Sequence, residues 1–95
     1  MDETFYIEIT LKTAGGLESF GKFYLGDERL KAQDIFRKLL GSQDVDEKNV
    51  MYVSFMETKN GLPLNVDMIT CTLDELGENC KIITKEFFKL HALSP

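Results

Sequence analysis

Residues 4–25 hold two apolar-rich segments, of which the first alternates cleanly between apolar and polar positions and the second less so. In residues 4–13 one face carries Phe5, Ile7, Ile9 and Leu11, and the other carries Tyr6, Glu8, Thr10 and Lys12. A period of two is typical of a half-buried β-strand. Glycines at 15 and 16 precede a second apolar-rich segment, residues 17–25, so the two segments predict a β-hairpin. In the second strand we place Phe23 and Leu25 on the inner face, with Phe20 and Tyr24 on the outer face.

After Gly26 the spacing becomes that of an amphipathic helix. Its apolar positions are Ala32, Ile35, Phe36, Leu39 and Leu40. We predict that Asp27 is the N-cap and that Gly41 ends the helix. Residues 42–49 follow, with the acidic residues Asp44, Asp46 and Glu47. These acidic residues resemble a fragment of a calcium-binding loop, but the glycine and the final glutamate of such a loop are absent. We therefore predict a solvated loop.

The same succession of elements returns after residue 49. Over residues 50–58, Met51, Val53 and Phe55 alternate with Tyr52, Ser54 and Met56. Asn60 and Gly61 are the strongest short hairpin signal. The returning strand has Leu62, Leu64, Val66 and Met68 on one face, and Pro63, Asn65 and Asp67 on the other, with Asp67 predicted to face outward. Thr72 and Glu75 then match a capping box, which predicts the start of a second helix.

Residues 73–93 allow two interpretations. The apolar positions Leu73, Leu76, Cys80, Ile83, Phe87 and Leu90 form one stripe, which predicts a single helix. Gly77 lies inside that helix and Ile82 lies off its stripe. In the alternative interpretation a short helix is followed by an extended segment and by a last helix that Thr84 caps.

The order strand, strand, helix therefore occurs twice, which predicts an α+β fold built from two ββα units. The simplest arrangement is a two-layer sandwich, in which two helices cover one face of a four-stranded, mainly antiparallel sheet. A chain of 95 residues has room for one hydrophobic core. We therefore expect residues 1–95 to form a single domain.

With both helices on one face, the other face of the sheet is left uncovered. On the face assignments above it presents Tyr6, Phe20, Tyr24, Tyr52 and Met56. Aromatic residues and methionine are enriched at protein interfaces, although aromatic residues also simply favour strands and cover their cross-strand neighbours. The exposed aromatic face predicts a protein-binding surface that a homodimer would bury, with a site for a flat ligand as an alternative.

Charge and cysteine content limit the partners and the compartment. The chain is acidic, with 16 acidic and 11 basic residues and a net charge of −5, so nucleic acid and anionic membranes are not expected partners. No apolar run approaches the roughly 20 residues of a membrane-spanning helix, and the first residues are acidic. Two cysteines are too few for a disulfide framework, which predicts reduced thiols and a cytoplasmic location.

Groups with catalytic or metal-binding chemistry are scarce. Cys71, Cys80 and His91 are the soft metal ligands of the chain, and their separations match no compact zinc pattern. His91 is the one side chain that could act as a general base near neutral pH, but a position near a helix end also explains a histidine. We predict no metal site, no cofactor and no catalytic residue.

Lys81, Lys85 and Lys89 form a row that could meet an acidic partner, although a solvent-facing helix side explains the row equally well. The sequence as a whole predicts a small cytoplasmic protein-interaction or regulatory module that uses the exposed aromatic sheet face, and it favours a non-enzymatic function. The alternative is a small-molecule-binding domain, or an enzyme with His91 as the base.

Overall fold

A computed structural model describes residues 3–43 and 51–91, and the side chains of residues 3–43 and 51–89. The elements in chain order are β1 (Thr4–Thr13), β2 (Gly16–Gly26), α1 (Arg29–Arg37), β3 (Met51–Lys59), β4 (Leu62–Cys71) and α2 (Leu73–His91). The predicted succession of two ββα units is confirmed. The predicted loop residues Asp44, Asp46 and Glu47 lie outside the described residues.

The four strands form one antiparallel sheet in the order β2-β1-β3-β4. β1 and β3 pair in the centre, so each hairpin contributes one central strand and one edge strand. Asn60 and Gly61 connect β3 to β4 with φ angles of 54° and 80°. Positive φ at both positions is the tight turn that Asn-Gly favours. The prediction of an α+β fold with a four-stranded antiparallel sheet is confirmed.

The core lies on the sheet face that carries Phe5, Ile7 and Ile9, each at most 1% exposed. Buried residues from both helical regions join them: Ala32, Ile35, Phe36, Leu39, Leu76 and Ile83. The Phe36 ring stacks on Phe55 with a centroid distance of 5.4 Å, and Phe55 stacks on Phe5 at 5.9 Å. This column of three rings joins α1 to the two central strands.

A bulge in β4 corrects the predicted faces of this strand. Phe55 of β3 pairs with Asp67, and the register shifts immediately afterwards, so Val66 has no partner on β3. Directly opposed residues of an antiparallel pair share a face, so Asp67 lies on the side of Phe55. The prediction that Asp67 faces outward is wrong. Met68, opposite Ser54, lies on the outer face instead.

The first helix begins one residue later than predicted. Glu28 is its N-cap and makes no side-chain capping hydrogen bond, so the prediction that Asp27 is the cap is wrong. The helix ends before Lys38, which is the C-cap. Gly41 has a different reason to be glycine: an added Cβ atom would lie 2.6 Å from the carbonyl oxygen of Thr70.

The segment after α1 is held between α2 and β4. The buried Asn79 amide oxygen accepts a hydrogen bond from the Leu40 N–H at 2.6 Å, and its nitrogen donates to the Leu40 carbonyl oxygen at 2.8 Å. Ser42 and Thr70 exchange two backbone hydrogen bonds of 2.9 and 2.8 Å. The first pair of hydrogen bonds fixes the middle of α2, and the second pair fixes the end of β4, against the segment that follows α1.

α2 is one helix from Leu73 to His91, which decides between the two interpretations of residues 73–93. Its capping box is confirmed: the Thr72 N–H donates to Glu75 Oε1 at 2.9 Å, and the Glu75 N–H donates to the Thr72 hydroxyl oxygen at 3.2 Å. Gly77 is accommodated inside the helix. Within the described residues, neither helix has the length and apolar character needed to cross a membrane.

Ion pairs join the C-terminal ends of the two helices. Lys38 Nζ lies 2.9 Å from Glu86 Oε1 and 3.4 Å from Asp34 Oδ2, and Lys89 Nζ lies 3.1 Å from Glu86 Oε2. The hydrogen bond with Lys38, and then that with Lys89, lowers the pKa of Glu86 below its ordinary value. The same bond with Glu86 raises the pKa of Lys38. Both shifts favour the charged forms that link α1 to α2.

Candidate binding surface between β2 and α2

On the outer face of the sheet, neighbouring side chains bury one of the predicted aromatic residues, Tyr6. Tyr6 pairs with Tyr24 on one side and with Met56 on the other. The centroid of its ring lies 5.3 Å from the centroid of the Tyr24 ring and 5.6 Å from Lys22 Nζ. Tyr6 is only 5% exposed, so the expectation that it is an exposed residue is wrong. A central strand has neighbours on both sides whose long side chains reach across it.

The other predicted outer residues differ in exposure. Tyr24, on the edge strand, is 55% exposed, whereas Tyr52 and Met56 are half-buried. Nearby Ser54 and Thr70 are buried. The outer face therefore presents its most exposed ring at the β2 edge. A role for these residues in an interface stays a prediction.

Phe20 lies on the inner side of the sheet and corrects the predicted face assignment. Ile9 pairs with Gly21 and Thr10 pairs with Ser19, which leaves Phe20 without a partner on β1. The Phe20 side chain lines a cavity with Ile9, Leu11, Met51, Leu73 and Leu76. These residues belong to the core side, so the placement of Phe20 on the outer face is wrong. One extra residue in a strand reverses the alternation that follows it.

An apolar groove follows the junction between β2 and α2. A cavity of about 330 Å³, lined by the six apolar residues just named, lies at the start of α2. A second cavity of about 310 Å³ lies toward its end, lined by Lys22, Phe23, Tyr24, Ile83, Thr84 and Phe87. Phe20 is 67% exposed and Leu73 is 73% exposed, on opposite walls of the first cavity. We call the surface formed by these two cavities the β2–α2 groove.

The groove is open because α2 is attached on its opposite side. Asn79 and Glu86 both contact the α1 region, and helix geometry places them on the same side of α2. Leu73 and Phe87 lie toward the other side, where they are 73% and 42% exposed. The contacts that hold α2 against α1 therefore leave its β2-facing side open.

Lysine side chains border the groove near the end of α2. Lys22 lines the second cavity from β2. Lys81 and Lys85 line a shallow depression that adjoins this cavity at Thr84. Lys81 Nζ lies 3.4 Å from Glu78 Oε1 within the helix, and both side chains are more than half exposed. The border is therefore basic although the chain as a whole carries a charge of −5.

The groups with catalytic potential include two thiols and one buried acid that already forms an ion pair. Cys71 and Cys80 are free thiols, and burial raises the pKa of Cys71, which keeps it protonated. The buried acid Glu57 forms an ion pair of 2.7 Å with Arg29. The described parts of the chain hold no cluster of three or more cysteine, histidine or acidic residues that could bind a metal ion. The side chain of His91 lies outside the described residues.

Comparison with protein-family models, with curated protein sequences and with solved structures found no match to this chain. The choice of the β2–α2 groove as the candidate site therefore depends on the geometry and chemistry of these residues alone.

The sequence prediction missed the exposure of α2. The apolar stripe predicts that Leu73 and Phe87 are buried, and the structure leaves both of them substantially exposed. One signal was present in the sequence, because Phe88 follows Phe87 directly. Adjacent helical residues point about 100° apart, so a helix with both rings is apolar over a wider arc than one contact can cover.

Proposed function

We propose that this protein is a non-enzymatic interaction module that binds an apolar partner surface in the β2–α2 groove. The observation that carries the proposal is the exposure of Phe20 and Leu73 on opposite walls of a cavity lined entirely by apolar side chains. Contiguous exposed apolar surface on a small domain commonly marks a contact site. The proposed function is the one predicted from the sequence. The proposed binding surface differs, because it lies on the β2 side and not on the outer sheet face.

The architecture of the groove supports this function. Both walls are regular elements, and the Asn79 amide anchors α2 through two hydrogen bonds to Leu40. A fixed apolar surface costs little conformational entropy when a partner binds. The basic border at Lys22, Lys81 and Lys85 can orient a partner with acidic residues beside its apolar ones. The two free thiols support a place of action in the reducing cytoplasm.

Site-specific photocrosslinking in cells tests the module. A benzophenone amino acid replaces Phe20 or Phe87, and a matched control carries it at Leu30, which is 79% exposed on α1. We expect discrete adducts from the two groove positions and none above background from Leu30. Adding Leu73→Asp should remove the adducts, because a charge on the groove wall opposes an apolar partner. Equal labelling from all three positions, or adducts that survive Leu73→Asp, would rule out the groove as the binding surface.

A second candidate function is the binding of a small apolar molecule in the cavity at the start of α2. Its volume of about 330 Å³ and its purely apolar lining favour such a ligand. Because Met51 lines this cavity, methyl-labelled methionine reports on binding. We expect the Met51 methyl resonance to move with added benzene while that of Met68, on the outer face, does not. Unchanged Met51 shifts at saturating benzene would eliminate this candidate.

The notion of an enzyme with His91 as the base depends on a side chain outside the described residues, and it stays a prediction.

A further inference from the structure

We propose that the partner in the groove is a second copy of this chain, bound so that the two α2 helices lie antiparallel across a twofold axis. The inference rests on the proposed function, because it names the occupant of the same surface. A twofold dimer buries the same patch on both copies, so that patch must be complementary to itself in shape and in charge. The exposed side of α2 satisfies both requirements.

The shape requirement is met by a seam along α2 with the spacing of paired helices. The seam residues are Leu73, Gly77, Cys80, Thr84 and Phe87, separated by alternating steps of four and three. The large side chains stand at the two ends, and the three small ones lie between them. Around Gly77, no atom other than those of its own helix backbone and chain neighbours lies within 4 Å of the position that a Cβ atom would take. Antiparallel pairing places Leu73 of each copy near the partner's Phe87 and lets the helix axes approach closely in the middle.

The charge requirement is met by residues on the solvent side of the seam. Asp74 and Glu78 lie in the first half of α2, and Lys81 and Lys85 lie in the second half. Antiparallel pairing brings Asp74 near the partner's Lys85 and Glu78 near the partner's Lys81. Both pairs have their midpoint between Asn79 and Cys80, and the midpoint of the seam is Cys80. One twofold axis therefore serves the apolar seam and both charge pairs.

The charged side chains are available for such contacts. Asp74 and Lys85 are exposed and form no ion pair within the part of the chain that the structure describes. Lys81 and Glu78 are paired only with each other at 3.4 Å, and their side chains are 78% and 55% exposed. An exposed pair of this kind contributes little stability, so exchanging it for contacts across a dimer costs little.

The exposed apolar area approaches what a stable dimer needs. The large exposed side chains along the groove and the open side of α2 are Phe20, Tyr24, Leu73, Phe87 and Phe88. From their exposed fractions they offer on the order of 600 Å² per copy, against about 800 Å² per partner in a standard interface. Strand addition at the β2 edge is less suitable, because the bulge at Phe20 and the charge of Lys22 interrupt that edge. Helix pairing is therefore the better use of this surface.

A charge exchange between two variants tests the arrangement. Sedimentation of the purified chain should show a concentration-dependent dimer. Because the interface is symmetric, Asp74→Lys creates two like-charge contacts, and Lys85→Glu does the same. Each variant alone should raise the dimer dissociation constant by about tenfold or more. An equal mixture of the two variants should form a heterodimer, since both contacts then join opposite charges again. Native mass spectrometry with one variant isotopically labelled measures the heterodimer directly.

Two further variants serve as controls. Lys31→Glu reverses a charge on α1 and should leave the dimer unchanged. Asp74→Lys with Lys85→Glu in the same chain should restore the homodimer, which separates the charge contacts from any weakening of the helix start; circular dichroism checks that each variant is folded. A wild-type monomer at every concentration would overturn the inference. So would a dimer indifferent to both reversals, or a mixture that fails to form the heterodimer.

The outcomes of the two experiments separate this inference from the proposed function. If groove crosslinks join the chain to a different protein while the purified chain is monomeric, the second copy is rejected and the interaction module stands. If the groove positions form no specific adducts, the interaction module itself is rejected.

Discussion

The α1 side and the β2 side of this molecule share one core but differ in how completely it is covered. On the α1 side, Phe36 stacks on Phe55, and both are at most 6% exposed. On the β2 side, Phe20 and Leu73 face a cavity and are at least 67% exposed. Residues of the same apolar class therefore have different surroundings. Those on the α1 side are buried and stabilise the fold, and those on the β2 side form the exposed surface that we propose as the binding site.

The comparison gives its largest expected effect when one phenylalanine is removed from each side. Phe55→Ala should lower the free energy of unfolding by about 3–5 kcal/mol, because it leaves a cavity within the ring column. Phe88 lies on α2 and is 53% exposed, so Phe88→Ala should lower the free energy of unfolding by less than about 1 kcal/mol. Urea unfolding of both variants at a concentration where the protein is monomeric measures the difference. Similar losses from both variants would break the comparison.

The next effect concerns the amide that attaches α2 to the α1 region. Asn79→Ala should lower the free energy of unfolding by about 2–3 kcal/mol, because it removes two hydrogen bonds and leaves the Leu40 N–H and carbonyl without that partner. Asn65, exposed on β4, is the matched control and should change stability by less than about 0.5 kcal/mol. Thermal unfolding compares the two. If Asn79→Ala is as harmless as Asn65→Ala, this attachment does not explain why α2 leaves β2 open.

Two glycines should respond to the same substitution with opposite signs. Gly41→Ala should destabilise by about 1–3 kcal/mol, because its Cβ atom would lie 2.6 Å from the backbone oxygen of Thr70. Gly77→Ala should stabilise the monomer by about 1 kcal/mol, since alanine is the better helix former and the site is open. Denaturant titration measures both. A destabilised Gly77→Ala monomer would show that the exposed side of α2 is more crowded than the structure has it.

The smallest expected effect is the pH dependence of the ion pairs between the helices. The pKa of Glu86 is lowered in the folded state, so its contribution is present above the ordinary value of 4.5 and is lost as the pH falls through the folded pKa. The pKa of Lys38 is raised, so its contribution is lost as the pH rises through a value above 10.5. Glu86→Gln should be less stable than the wild type near neutral pH, and the difference should shrink at both extremes. A constant difference between pH 3 and pH 7 would contradict this assignment.

Local sequence patterns determined the elements and most of the core. The alternation of Phe5, Ile7 and Ile9 predicted their burial, and the Thr72 capping box predicted the start of α2. Asn60 with Gly61 predicted the second hairpin. These signals are reliable because backbone geometry has a fixed period and unpaired backbone groups at a helix end have few possible partners. Neither depends on distant parts of the chain.

Only the tertiary structure decided which apolar residues remain exposed. A single unpaired residue placed Phe20 on the inner side, and neighbouring strands covered Tyr6 on the outer side. The contact between Asn79 and Leu40 holds α2 toward α1 and leaves Leu73 open beside β2. Exposure depends on the distance between elements that are remote in sequence, whereas periodicity records only the direction in which each side chain points. The sequence by itself therefore determined the two ββα units, and the packing between them decided which apolar surface stays exposed.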